Sequence, residues 1–291
     1  MNFLTAILNG LSAGGTYAMI ALGYTMVYGI AKMLNFAHGD VIMAGGYVMF
    51  ITLMALGQPI VAIAAAVVFC VILGISIERF AYRPLRGASP LAVLITAIGM
   101  SSLLQSLAQI IFGSAPKVLS GLVLSGAVQL GAFSVAYSTI LTLAVTVIVM
   151  TALTLFVNYS KPGRAMIAVS EDRGAAQLMG VNVNGIIAIT FAIGSALAAI
   201  AGYLMLCKGS SLSITLGAMP GIKAFTAAVI GGIGSIPGAM LGGILLGVIE
   251  SLSYSIPALA PYTDAIEFAI LIVVLLIKPA GILGKMRREK V

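Results

Sequence analysis

The chain has 291 residues, 61% of them hydrophobic, only 8% charged and none tryptophan, and its mean hydropathy of +1.16 lies far above that of soluble domains. A helix needs roughly 20 apolar residues to cross about 30 Å of hydrocarbon, so this length suits about eight spans in a single membrane domain, residues 1–291, and excludes an added soluble catalytic domain. The formal charge of +7 does not indicate nucleic acid, because the basic residues fall between long apolar runs instead of forming a patch with interleaved aromatics. Cys70 and Cys207 lack the spacing of a metal site and the density of a disulfide scaffold. Met1 to Ala31 carries no charged side chain, so this segment lacks the basic region of a signal peptide and is expected to stay as the first helix.

In chain order, nearly uncharged stretches predict spans at about 5–30, 41–56, 60–77, 91–112, 137–157, 186–206 and 262–277, an all-α polytopic transmembrane bundle. Lys and Arg accumulate on the cytoplasmic side. That places Arg79, Arg83 and Arg86, then Lys161, Arg164 and Arg173, then the tail Lys285, Arg287, Arg288 and Lys290 on the inner face. Parity then requires segment 224–249 to contribute either no crossing or two. Its centre, Gly231-Gly232-Ile233-Gly234-Ser235-Ile236-Pro237-Gly238, supplies the break either arrangement needs, and a pair of re-entrant half-helices is expected there. Lipid cannot satisfy free backbone groups, so such a break must be buried in protein or line a wet cavity, which makes Gly231, Gly232, Gly234 and Pro237 candidate pathway residues.

Glycines at intervals of four (Gly10 and Gly14; Gly234, Gly238 and Gly242; Gly243 and Gly247) predict close helix packing. A weak repeat pairs Met43-Ala44-Gly45-Gly46 with Met240-Leu241-Gly242-Gly243, each after a polar, glycine-containing interruption.

Asn35-Phe36-Ala37-His38-Gly39-Asp40 holds the only histidine between two apolar runs. Charge is costly in lipid, so Asn35, His38 and Asp40 fit either a polar pathway element, with a helix amino terminus facing a substrate carboxylate, or an inner-face turn capped by Asp40. One histidine makes no metal site. The inner loop at about 158–185 is the longest polar stretch with helical character, and an apolar stripe of Ala165, Ala168, Val169, Ala176, Met179 and Gly180 runs beside its charges. Such a helix either docks into a partner's groove or rests on lipid headgroups.

Four blocks together resemble the LivH-type permeases of branched-chain amino acid ABC importers: Gly23 to Gly29, Asn35 to Asp40, Ile77 to Arg86, and Lys223 to Gly238. The likeness runs nearly end to end. It implies a complex with a second related permease, two cytoplasmic ATPases and an extracytoplasmic substrate-binding protein, in the cytoplasmic membrane of a bacterium or archaeon. The inner loop would then be the ATPase-coupling segment, with Arg164, Glu171, Asp172, Gly174, Ala175, Ala176 and Gly180 as its residues. Gly174 to Gly180 resembles the EAA-x-x-x-G signature of importer permeases, with Gly174 in place of the Glu and no Leu-Pro pair downstream.

No Walker-type loop ending in Lys-Ser or Lys-Thr is present, so ATP is expected on partner subunits and this chain is expected to be neither an enzyme nor the holder of a cofactor. Related permeases carrying urea, short amides or small organic acids are the first alternative. An ion-coupled secondary transporter using His38, Asp40 or Glu250 is the second. An intramembrane hydrolase is disfavoured, since no Gly-x-Ser-x-Gly elbow accompanies the single histidine.

Overall fold

Backbone groups in lipid have no solvent partner, so the apolar runs become helices. The computed structural model describes residues 3–130 and 133–284. Its helices are α1 (Phe3–Ala31), α2 (His38–Leu56), α3 (Pro59–Ile77), α4 (Pro90–Phe112), α5 (Tyr137–Tyr159), α6 (Lys161–Glu171), α7 (Arg173–Leu178), α8 (Val183–Cys207), α9 (Ala218–Gly231), α10 (Ile236–Ser255) and α11 (Thr263–Ile277). Eight described stretches are long and apolar enough to cross a membrane. The basic tail from Lys285 to Lys290 lies outside the described residues.

Helix starts follow capping chemistry. Side chains of Ser89, Ser160, Asp172, Asn182 and Ser235 accept from backbone N–H groups in the first turns of α4, α6, α7, α8 and α10. Gly57, at φ 65°, ends α2 in the left-handed conformation, and Pro59 opens α3 two residues on.

Two expectations are corrected and one small element is added. Segment 224–249 is not a pair of half-helices: the break falls at Gly232 to Ser235 as expected, but only α9 is short, and α10 has the 20 residues of a full span. Ser235 and Pro237 start α10 cleanly, and the apolar run then continues to Ser255. The bundle also carries one short antiparallel hairpin between α4 and α5, β1 (Ala127–Leu130) with β2 (Phe133–Ala136), pairing Val128 with Val135. Finally, the inner loop is not one amphipathic helix. Asp172 turns to an extended backbone and caps α7, so the buried stripe is Gly163, Met166 and Val169 on α6 and Ala176 on α7, while Ala168, Met179 and Gly180 are exposed.

The core centres on α1, which packs against α10, α8, α9 and α5, and on α8, which packs against α2 and α3. The predicted glycines do close α1 onto α10. A Cβ on Gly10 would meet the backbone of Val248 at 2.8 Å, one on Gly14 that of Ile244 at 2.7 Å, and one on Gly243 or Gly247 would strike α1 directly. Backbones this close gain dispersion contacts, the main attraction available between helices in lipid.

Candidate functional site

Two helices begin inside the bundle instead of at its faces. The chain leaves α1 at Ala31, turns back through Lys32 to Ala37, and starts α2 at His38. The His38 imidazole packs edge-on to the Tyr24 ring at 4.8 Å and lies against Gly23 and near Gly194. Gly23 is eight residues from the end of α1, so His38 sits about 12 Å in from the Ala31 end of that helix. On the other side the chain leaves α8 at Cys207, turns back through 208–217, and starts α9 at Ala218. The two starts abut: a Cβ on Gly217 would collide with the Gly39 carbonyl, and one on Gly39 with the Gly217 carbonyl. The broken helix that meets α2 is therefore α9, and not α10 as the Met43/Met240 repeat suggested.

This junction gathers two positive helix ends. Asn35, His38 and Asp40 are all buried there, at 4%, 2% and 3% exposure. The Tyr82 hydroxyl donates to Asn35 Oδ1 at 2.9 Å, and Gln105 Nε2 of α4 donates to Asp40 Oδ1 at 2.8 Å. The imidazole hydrogen-bonds to the backbone of Ile20, while its Nε2 has no partner among the described residues. Asp40 does not cap α2; Ala37 holds the N-cap position without a side-chain bond.

The glycine-rich break lies at the far end of α9, about 20 Å away by helix length, so the two predicted pathway segments are not brought together. Gly234 and Pro237 line a cavity of about 820 Å³ with Tyr28, Asn158 and Glu171. Gly232 and Gly234 sit at φ 111° and 93°, backbone that only glycine adopts without strain. Gly231 and Gly232 are packed against the backbones of Gly238 and Gly284.

Beside the cavity lies the α6–α7 segment. Arg173 of α7 donates to the carbonyls of Ile30 and Ala31, the orphan acceptors at the end of α1, which ties this segment to the core. Arg164, Glu171, Asp172, Gly174, Ala175 and Gly180 are exposed and Ala176 is buried. Leu178 and Met179 stand out at 90% and 83% exposure.

Sequence reasoning missed a buried charge cluster. Lys223 of α9 sits 2.6 Å from Glu250 of α10 and 2.9 Å from Asp264 of α11, and it donates to Glu267 Oε1 of α11 at 3.4 Å with Oε2 of the same carboxylate 3.3 Å away. The Tyr17 hydroxyl of α1 adds a bond to Glu250 at 3.1 Å. The signal was available: a lone Lys opens the glycine-rich block, and carboxylates punctuate two otherwise apolar runs. The Glu78 to Arg86 block is likewise explained by pairing, since Arg86 bridges Glu78, its own block's first acid, and Asn184 at the start of α8.

Comparison with known proteins adds the decisive observation. Residues 6–275 match the family model described as branched-chain amino acid transport system / permease component. The chain belongs to this permease family. It is 46% identical to the high-affinity branched-chain amino acid transport system permease protein BraD of Pseudomonas aeruginosa, with 100% of this chain and 98% of that protein covered. It is also 46% identical to the permease protein LivH of the same kind of system in Escherichia coli K12, with 99% and 98% covered. The permease is thus a multi-pass helical transport component of the cytoplasmic membrane, and the alignments run through its broken helices, its α6–α7 segment and its ion cluster alike.

Proposed function

We propose that this permease is the membrane-spanning subunit of an ATP-driven importer for leucine, isoleucine and valine, working with a second related permease, two cytoplasmic ATPases and an extracytoplasmic binding protein. Similarity over the whole chain to relatives named for branched-chain amino acid transport supports the substrate class. The observation that carries the ATP-driven part is the α6–α7 segment. It is fastened to α1 through Arg173 and presents Leu178 and Met179 to solvent, the form of a knob that a partner's groove covers.

ATP would be bound and hydrolysed by the partners, and this chain would hold no cofactor and catalyse nothing itself. Nucleotide must bind the outward- and inward-open states with different affinity for the cycle to be driven. Motion of the α6–α7 segment would reach α1 through Arg173. The α2–α9 junction, closed here by glycine backbones, would be the gate, with the helix starts facing the substrate carboxylate. The cavity at Gly234 and Pro237 would be the inner exit.

The test is ATP hydrolysis by the reconstituted complex with its binding protein. Leucine, isoleucine and valine are expected to stimulate it, and exchange of residues 171–180 for an unrelated polar loop to return it to the basal rate. Because that exchange risks misfolding, Leu178→Asp and Met179→Asp, both at exposed positions, are expected to weaken ATPase binding at least about tenfold each as buried apolar anchors. Stimulation by urea alone would favour the amide-carrying alternative. Uptake driven by an ion gradient without any ATPase would overturn the reading.

A further inference from the structure

The chain leaves α3 through a single widened, π-helical turn, Glu78–Tyr82, in which the Arg83 N–H donates to the carbonyl of Glu78, five residues back. Such turns are rare and often mark functional positions. Its bundle-facing side is pinned twice. Glu78, 3% exposed, pairs with Arg86, while the fully buried Tyr82 donates to Asn35 and packs its ring 5.4 Å from that of Phe191. Arg79 and Arg83 follow these two anchors by one position each, so both are held on the outer side of the turn, and both are exposed. Neither side chain has a hydrogen bond or an ion pair among the described residues, since the acid of this block, Glu78, is taken by Arg86.

The exposed face of α3 that leads to these arginines is apolar. Val68, Ile72 and Ile75 recur at helical spacing, Arg79 continues the same face four residues on, and Phe80 stands beside it at 76% exposure. From Val68 to Arg79 the helix rises about 16 Å, close to half of the roughly 30 Å of hydrocarbon in a bilayer, so the stripe matches one leaflet's acyl chain in length. A lipid-facing stripe that runs straight into two unpaired guanidinium groups suits a lipid better than a protein, and guanidinium forks match phosphate oxygens. We propose that Arg79 and Arg83 bind the phosphate of an anionic membrane lipid whose acyl chain lies along Val68, Ile72 and Ile75, with Phe80 at the level of its glycerol. The lipid would hold the turn from outside while Glu78 and Tyr82 hold it from inside, and Tyr82 would carry that brace to Asn35 beside the start of α2.

The sequence holds no tryptophan, so Ile72→Trp, at a 59% exposed position about 10 Å along the helix from Arg79, gives the full chain a single fluorescent reporter on the stripe. Its emission is followed in bilayers of mixed phosphatidylglycerol and phosphatidylcholine, with one of the two lipids dibrominated in mid-chain at a time, so that quenching reports which lipid lies on the stripe. Phosphatidylglycerol is expected to be favoured about thirtyfold, equivalent to about 1 kcal/mol from each arginine. Arg79→Gln/Arg83→Gln should bring that preference close to one. Should this variant fail to insert, Arg83→Gln alone should lower the preference about fivefold. Inorganic phosphate, added at constant ionic strength, should leave it unchanged. Equal quenching by the two lipids, loss of the preference to inorganic phosphate, or a parent-like preference in the arginine variants would each overturn the proposal. In the last case, weaker ATPase binding by the same variants would assign the pair to that partner instead.

Discussion

Replacing Lys223 with methionine is expected to destabilise the permease by about 3–5 kcal/mol, the cost of leaving one side of a buried ion pair uncompensated. Lys223 is 5% exposed and Glu267 1%, so water cannot substitute for the lost ammonium at Glu267, whereas Asp264, half-exposed, stays solvated. Glu250 would keep the Tyr17 hydroxyl as a hydrogen-bond donor and the more distant charge of Lys208. The physical content is checkable by rescue. A Lys223→Met/Glu267→Gln pair removes one cation and one buried carboxylate together, and should recover a large part of the loss. Thermal unfolding of the purified complex measures both variants. A Lys223→Met protein that unfolds with the parent would mean the cluster contributes nothing, and α9 would then be held by its packing on α1, α2 and α10.

Gly217→Val is expected to reduce uptake at least about tenfold, because the added carbons meet the Gly39 carbonyl and backbone cannot step aside as a side chain can. Overpacking of this kind costs about 1–3 kcal/mol and falls on the α2–α9 contact, so the two helix starts should be forced apart. If that contact is the gate, the variant should leak or stall while its assembly with the ATPases is unchanged. Gly99→Ala is the control: it lies within α4, where an added Cβ meets nothing within 4 Å, and should transport normally. Parent-like uptake by Gly217→Val would remove the junction from the pathway.

The spans and the place of the helical α6–α7 segment were legible because each depends on local composition. A run such as Pro59 to Ile77 has no charge to keep it in water, and Arg79 to Arg86 cannot follow it into lipid. The glycine stripe on α1 and α10 was legible for a similar reason, since spacing alone puts small residues on one face. Less was legible where one residue changed the path. Asp172 splits the inner loop by capping a new helix, and the apolar pattern there ran straight through it. The hairpin at 127–136 is too short to announce itself between two long apolar helices.

By itself, then, the sequence determined that this chain lives in a membrane, where the glycine-rich backbone break falls and which family the blocks resemble, because hydropathy and turn chemistry act over a few residues. Only the tertiary structure decided that α2 meets α9 head to head, that Lys223 is surrounded by Glu250, Asp264 and Glu267, and that Tyr82 reaches Asn35, which turns Arg79 and Arg83 outward as a pair. These partners are separated by tens to well over a hundred positions in the chain. No short-range preference selects among the acids available to a buried lysine; packing of whole helices does, by the close approach that their glycines allow.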